Sequence, residues 1–404
     1  MNRKRQAFLM MLSGSILIFF TGYMHVWTIY VPRIIEEYHW TESQASLAFY
    51  LANGIAVLGS ILGGRLSTVW GVRRTAALGG ALFSLSYVLS ALVIGERPWP
   101  IYLSYGLIMA LGNGAVYSLI LATAQKWFPD RTGFASGVIV TSNGLCMFFM
   151  APLTRLLLSS VGIRGSFLTV AAMIAAASVL ACLFLNTPEA AGDKSAESAA
   201  GRWGGKKQYT TGEMLRSGAY YLLVGSMLFA LLPYYLISPV SQVYQISCGV
   251  AEATAVGAVM AGSLLNAGMR LLLPMLADRT NRFLCVASVM LLSMLSMLLL
   301  WAHSPATAMV GVALAYACYG GVMGNYPALT SAIFGLEHAG ENYGFVMIGL
   351  VVGSMAAPVI REGLIALGLS GYKLYFSGAV FAAAGAALVL ILRKKAAAME
   401  ENRE

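Results

Sequence analysis

The chain has 404 residues, of which 58% are hydrophobic and 11% charged, and its mean hydropathy is +0.73. A soluble domain could not solvate such a surface, so a water-soluble enzyme or binding module is excluded and an all-α integral membrane protein is expected. The formal net charge of +9 comes from 26 Lys and Arg against 17 Asp and Glu, and its distribution along the chain points to topology and anionic lipid, with no nucleic-acid partner.

About 20 apolar residues in a helix cross the ~30 Å of hydrocarbon in a bilayer. A window of that length finds six spans near 7–31, 43–64, 75–95, 101–126, 132–157 and 166–186. The basic start MNRKRQAF before an apolar stretch resembles a signal peptide, but the stretch is too long and lacks a small-residue cleavage site, so it reads as the first span. That span carries His25, Trp27 and Tyr30. Where the second span ends, GRLSTVWGVRR (64–74) makes a tight basic turn with Gly64, Gly71, Arg73 and Arg74. Span four contains Tyr117 and leads into KWFPDRTGFASG (126–137). The interval 187–217, rich in Ala, Gly, Ser and charge, has the composition of a flexible linker.

Six further spans follow near 218–241, 252–276, 283–302, 306–334, 342–360 and 371–392. The eighth, VGAVMAGSLLNAGMRLLLPMLA (256–277), holds Asn266 and Arg270, and PMLADRTNRFL (274–284) after it is a second basic turn with Asp278, Arg279 and Arg282. Span ten contributes Tyr319, Asn325 and Tyr326. The expected domains are an N-terminal six-helix bundle (1–186), a cytoplasmic linker (187–217), a C-terminal six-helix bundle (218–393) and a cytoplasmic tail (394–404). Twelve spans put both termini, the linker and the even-numbered loops on one face, which collects nineteen of the 26 basic residues against six on the other. The positive-inside rule makes the richer face cytoplasmic and the location a cytoplasmic (inner) membrane. The five cysteines lack the spacing of a metal site or a disulfide framework, and neither metal nor cofactor is implied.

A guanidinium keeps its charge at any cellular pH, so at membrane depth Arg270 needs an anionic partner or a polar cavity. Asn266 lies one turn earlier on the same helix face. Paired guanidinium donors match a carboxylate in a bidentate fork, and the amide of Asn266 suits a neighbouring oxygen. A plainer reading has Arg270 snorkel to the cytoplasmic surface near Asp278, eight residues on. The two basic turns align at a shift of 210 residues, and 112–128 aligns with 321–337 at a shift of 209, which implies duplication of a six-helix unit. The first-half equivalent of Arg270 is the uncharged Ser60, and that asymmetry favours a functional arginine.

On these turns the chain resembles the major facilitator superfamily, whose loop signature is Gly-x-Leu-Ala-Asp-Arg-x-Gly-Arg-Arg. The second copy keeps Leu276, Ala277, Asp278, Arg279 and Arg282. The first keeps Gly64, Leu66, Gly71, Arg73 and Arg74 but has Thr68 in place of the family acid, whose contact latches the cytoplasmic gate. The resemblance implies twelve transmembrane helices in two pseudo-symmetric six-helix bundles (major facilitator fold), a monomer, and alternating access to a site near the bilayer midplane.

A narrower resemblance is to the oxalate/formate antiporter and monocarboxylate transporter branch. It rests on Gly22, Trp27, Thr28, Ile29 and Tyr30 in span one, on KWFPDRTGFASG, on TTGEMLRSGAYYLL (210–223), and on NYPALTSAIFG and ENYGF in spans ten and eleven. It implies that Asn266 and Arg270 form the substrate-binding pair, that His25 replaces a pore-lining aromatic, and that Tyr117 and Tyr326, equivalent under the repeat, face a common cavity. Members carrying divalent oxalate have a second basic residue where this chain has Leu350. A lone buried cation matches a monocarboxylate better, since a dicarboxylate would leave one charge desolvated.

The expected function is therefore secondary transport of a small carboxylate of the lactate, pyruvate or formate type across the lipid bilayer, with or without a proton. No acid falls in the core of a span, so coupling by proton symport or by anion exchange stays open; His25 is the titratable candidate. Alternatives are an oxalate/formate-type dicarboxylate antiporter, a drug or cation exporter, and a transporter-like sensor. The exporter is opposed by Ala151-Pro152 in span five, where exporters carry Gly-Pro. An enzyme is least supported, for no His, Cys and acid group at catalytic spacing.

Overall fold

The computed structural model describes residues 3–188, 207–369 and 371–401. Most of the expected linker, and the last residues of the tail, lie outside the described residues. The helices long and apolar enough to cross a membrane are α1 (Lys4–Tyr38), α2 (Glu42–Trp70), α3 (Val72–Val93), α4 (Trp99–Trp127), α5 and α6 within Thr132–Phe184, α7 (Gly218–Ser247), α8 (Glu252–Arg279), α9 (Arg282–Trp301), α10 (Pro305–Phe334), α11 (Ala339–Ala366) and α12 (Gly371–Met399). A continuous 53-residue helix over Thr132–Phe184 would be about 80 Å long, far more than a bilayer accommodates. Gly162, at φ 68° and ψ −174°, breaks it into α5 (132–161) and α6 (163–184). Among the described residues the count of twelve spans and the absence of strands agree with the fold read from the sequence.

Helix starts follow local chemistry. Thr41 and Gln44 form a capping box on α2, as Ser304 and Thr307 do on α10, where Pro305 opens the helix. A short helix not anticipated from the sequence, Thr211–Arg216, precedes α7 and is capped the same way by Thr210 and Glu213. The chain leaves α7 later than expected, through a 3-10 turn at Ser238–Val240 that carries it on to Ser247.

Two compact units result. The first comprises Met1–Pro129, Val138–Gln208 and Leu336–Phe345; the second comprises Asp130–Gly137, Tyr209–Gly335 and Val346–Glu404. Each thus includes the opening turns of a helix, α11 or α5, whose remainder belongs to the other. In the first unit α4 packs on α1, α2 and α3, and in the second α10 packs on α7, α8 and α9.

Helix contacts in both units depend on small residues, as lipid-embedded helices without a hydrophobic drive to associate require. A Cβ on Gly114 of α4 would fall on the Ala56 carbonyl of α2, and one on Gly63 of α2 would meet the Ala115 backbone. In the second unit a Cβ on Gly320 would strike the backbone of Asn266, and one on Gly324 that of Arg270. These approaches set the depth and rotation of α8.

The core of the first unit is aromatic. Trp27 packs on Tyr105 with ring centroids 4.3 Å apart, and Tyr30 on Phe167 at 4.8 Å. Through it runs a buried hydroxyl chain: Thr154 to Tyr23 at 2.8 Å, Tyr23 to Tyr30 at 2.7 Å and Tyr30 to Ser166 at 2.6 Å.

Gly114→Ala overpacks the α2–α4 contact and should destabilise the protein by about 1–3 kcal/mol. Gly54→Ala, where a Cβ meets nothing within 4 Å, should be neutral or stabilising by about 0.5–1 kcal/mol. Thermal unfolding of the two variants in detergent separates these outcomes.

Candidate functional site

Arg270 lies in the body of α8, nine residues before the helix ends, and is 9% exposed. Its Nε donates to Oδ1 of Asn266 at 2.9 Å. The guanidinium therefore turns back along the helix toward its N-terminus, as helical side chains tend to, and away from Asp278. The Asn266 oxygen is thus occupied, and among the described residues its amide N–H groups donate to no partner. The Arg270 Cζ sits 5.7 Å from the centroid of the Tyr319 ring on α10, within cation–π range. Tyr319 stacks on Tyr234 of α7 at 4.1 Å and 23°. Tyr316 meets Tyr234 edge-on at 5.2 Å, and Tyr235 approaches Tyr319 at 6.2 Å.

The second unit thus gathers a guanidinium, an amide and four tyrosines. Tyr234, Tyr235 and Tyr316 were not singled out from the sequence. The available signals were Tyr316 one turn before Tyr319 on α10 and the Tyr-Tyr pair after Pro233 on α7; neither says which ring meets the arginine.

Other expected residues have different surroundings. Asn325 is 2% exposed and donates to the Gly321 carbonyl of its own helix at 2.9 Å. Tyr326 is fully buried, with its hydroxyl 2.9 Å from that of Ser226 on α7. In the first unit Trp27 donates from Nε1 to the Ala45 carbonyl at 2.9 Å, so Trp27 and Tyr30 tie α1 to its neighbours. His25 sits exposed in a 3-10 turn, Gly22–Val26, 5.9 Å from the Phe49 ring, and Tyr117 is buried on α4. Ser60, the counterpart of Arg270, donates to the Gly114 carbonyl at 3.1 Å.

The two basic turns are built differently. Gly71 adopts φ 82°, which favours glycine, whereas its counterpart Asn281 caps α9 by accepting from the Leu284 N–H at 3.1 Å. Arg73 donates to the Leu185 carbonyl at 2.9 Å and to Leu183 at 3.3 Å, placing a cation at the C-terminal end of α6. Asp278 accepts the Gly133 and Phe134 N–H groups at 2.9 and 2.7 Å and pairs with Arg282. Its carboxylate therefore closes the start of α5, where orphan N–H groups and the helix dipole favour a negative charge. Thr68, the counterpart of Asp278, donates to its own helix at the Arg65 carbonyl. In the first unit the corresponding approach is backbone to backbone, since a Cβ on Gly64 would meet Gly340 and Glu341. Arg74 and Arg279 are exposed.

These features define a multi-pass helical membrane protein with a cation held inside one span. The chain belongs to the Major Facilitator Superfamily, whose model matches residues 12–358, and is accordingly a transporter rather than an enzyme. It is 27% identical over 360 residues to the uncharacterized MFS-type transporter YhjX of Escherichia coli, covering 88% of this chain and 87% of that protein. It is 25% identical over 352 residues to the oxalate:formate antiporter of Oxalobacter formigenes, covering 84% and 80%. Among solved structures, the proton:xylose symporter XylE superposes with a TM-score of 0.74 over 96% of each chain, at 17% identity, which speaks to the fold alone.

Asp278→Ala removes the α5 cap and strands the largely buried Arg282, so it should destabilise the protein by about 3–5 kcal/mol. Asp278→Asn, which can still accept one N–H, should lose less. Thermal melts of the two variants in detergent measure the order.

Proposed function

We propose that this transporter moves a small organic anion, a monocarboxylate of the formate, lactate or pyruvate type, by alternating access, coupled either to a proton or to a counter-anion. The observation that carries this reading is the Arg270–Asn266 pair inside α8, with the Tyr319 ring beside the guanidinium. A carboxylate there receives charge-assisted hydrogen bonds from Arg270 and an amide N–H from Asn266. The tyrosines beside Arg270 supply aromatic walls and hydroxyls, the lining expected around a small ligand. The placement of Asp278, held by Arg282 and two backbone N–H groups, supports a binding role for Arg270 over snorkelling to that acid.

With Arg270 as the cation of this site, a monocarboxylate is favoured over a dicarboxylate, because a second carboxylate would be desolvated without a partner. The similarity to an oxalate:formate antiporter supports small carboxylates as a class and keeps oxalate as the competing substrate. The reading includes two six-helix halves joined by a cytoplasmic linker, an inner-membrane location with both termini cytoplasmic, and action as a monomer. The turns at 64–74 and 274–284 serve as gating loops.

Ligand binding to the folded state raises its apparent stability, by about 2.7 kcal/mol at a hundredfold excess over Kd. In detergent, formate, lactate or pyruvate should raise the unfolding temperature of the wild type and leave Arg270→Ala unmoved. A shift with oxalate alone would transfer the reading to the dicarboxylate, and a carboxylate shift retained in Arg270→Ala would overturn it.

A further inference from the structure

The first unit carries two arginines on one groove that the Arg270 site leaves unused. Toward the ends of α1 and α5 that face away from the N-terminus, a groove of about 710 Å³ is lined by Thr28, Pro32 and Arg33 of α1 and by Met147, Arg155 and Ser159 of α5, among others. By the topology read from the sequence this is the face poor in Lys and Arg, yet two of its six basic residues line this one groove. The positive-inside bias offers no reason for them there.

The two arginines differ in state. Arg33 is paired at 2.9 Å with Glu36 one turn later, and both are exposed. Arg155 is exposed and, among the described residues, makes no hydrogen bond or ion pair. The Thr28 and Ser159 hydroxyls donate to their own helices, at the His25 and Leu156 carbonyls. The N–H donors available to a ligand in the groove are therefore those of the guanidiniums, foremost Arg155. Such a surface is complementary to an anion and offers little to a neutral or cationic solute.

We propose that this groove is a capture site for small carboxylates, in which Arg155, with Arg33 beside it, concentrates the substrate anion at that face. This rests on the carboxylate-carrier reading. A cleft lined by one sign of charge raises local ligand concentration and capture rate, an effect that salt screens.

Uptake of radiolabelled formate and lactate is measured in sided proteoliposomes of wild type, Arg155→Gln, Arg155→Lys and Arg270→Ala. Measurements cover low and high salt, and vesicles of phosphatidylcholine with and without phosphatidylglycerol. Arg155→Gln should raise KM from the groove face by about three- to tenfold and flatten its salt dependence, the effect falling on KM rather than on the maximal rate. Arg155→Lys, which keeps the charge, should stay near wild type, and KM from the opposite face should not move. An unchanged KM in Arg155→Gln, with flux still abolished in Arg270→Ala, would overturn the capture site and leave the carrier reading standing. An effect seen only with phosphatidylglycerol would make the groove a lipid-phosphate site and overturn it too. Equal losses from both faces, with a lowered melting temperature, would make Arg155 structural. No carboxylate flux in the wild type would remove both readings together.

Discussion

Hydrocarbon offers a polar group no partner, and most of this structure follows from that constraint. Every spanning segment is helical because a helix satisfies its own backbone. Buried hydroxyls obey the same rule by donating into their own helices, as Thr123 does to Leu119, Ser178 to Ile174 and Thr330 to Tyr326. Where one helix is loosened, a neighbour supplies the partner. At the point where α1 tightens into a 3-10 turn, Asn113 of α4 donates to the Thr21 carbonyl and Asn143 of α5 to its hydroxyl. An arginine in this setting is costly unless its surroundings are organised for it, which makes Arg270 the residue whose environment needs the most explanation.

That environment is set by backbone approach. Gly320 and Gly324 let α10 come against α8 at Asn266 and at Arg270, and Gly137 brings the opening of α5 against Arg270 and Leu271. With α8 held from two sides, the guanidinium lies beside Tyr319, and Asn266 accepts from its Nε. A residue with a side chain at any of these glycines would displace the helix that carries the charge.

The repeat shows how one scaffold diverged. At equivalent depth the first half has Ser60, tied to an α4 carbonyl, and the second has Arg270 among tyrosines. At the turns, Gly71 and Asn281 make the same reversal by backbone freedom and by side-chain capping, and Asp278 holds a helix start electrostatically while Thr68 does not. The architecture tolerates these exchanges because each half keeps its small-residue contacts. The polar residues at those positions are then open to specialise.

The sequence by itself determined the number and order of spans and the presence of a charge, Arg270, within the eighth, because these depend on local hydropathy and on residue identity. The partnership of Arg270 with Asn266 was also legible, since residues four apart on a helix must be neighbours. Only the tertiary structure decided that Tyr234, Tyr235 and Tyr316 gather with Tyr319 near the arginine, that Trp27 and Tyr30 are bonded into an aromatic core, and that Asp278 caps α5. Each depends on the rotation and depth at which separate helices pack. Those are set by small side chains at crossings far apart in the chain, and hydrophobic periodicity carries little information about them when a helix is apolar all round.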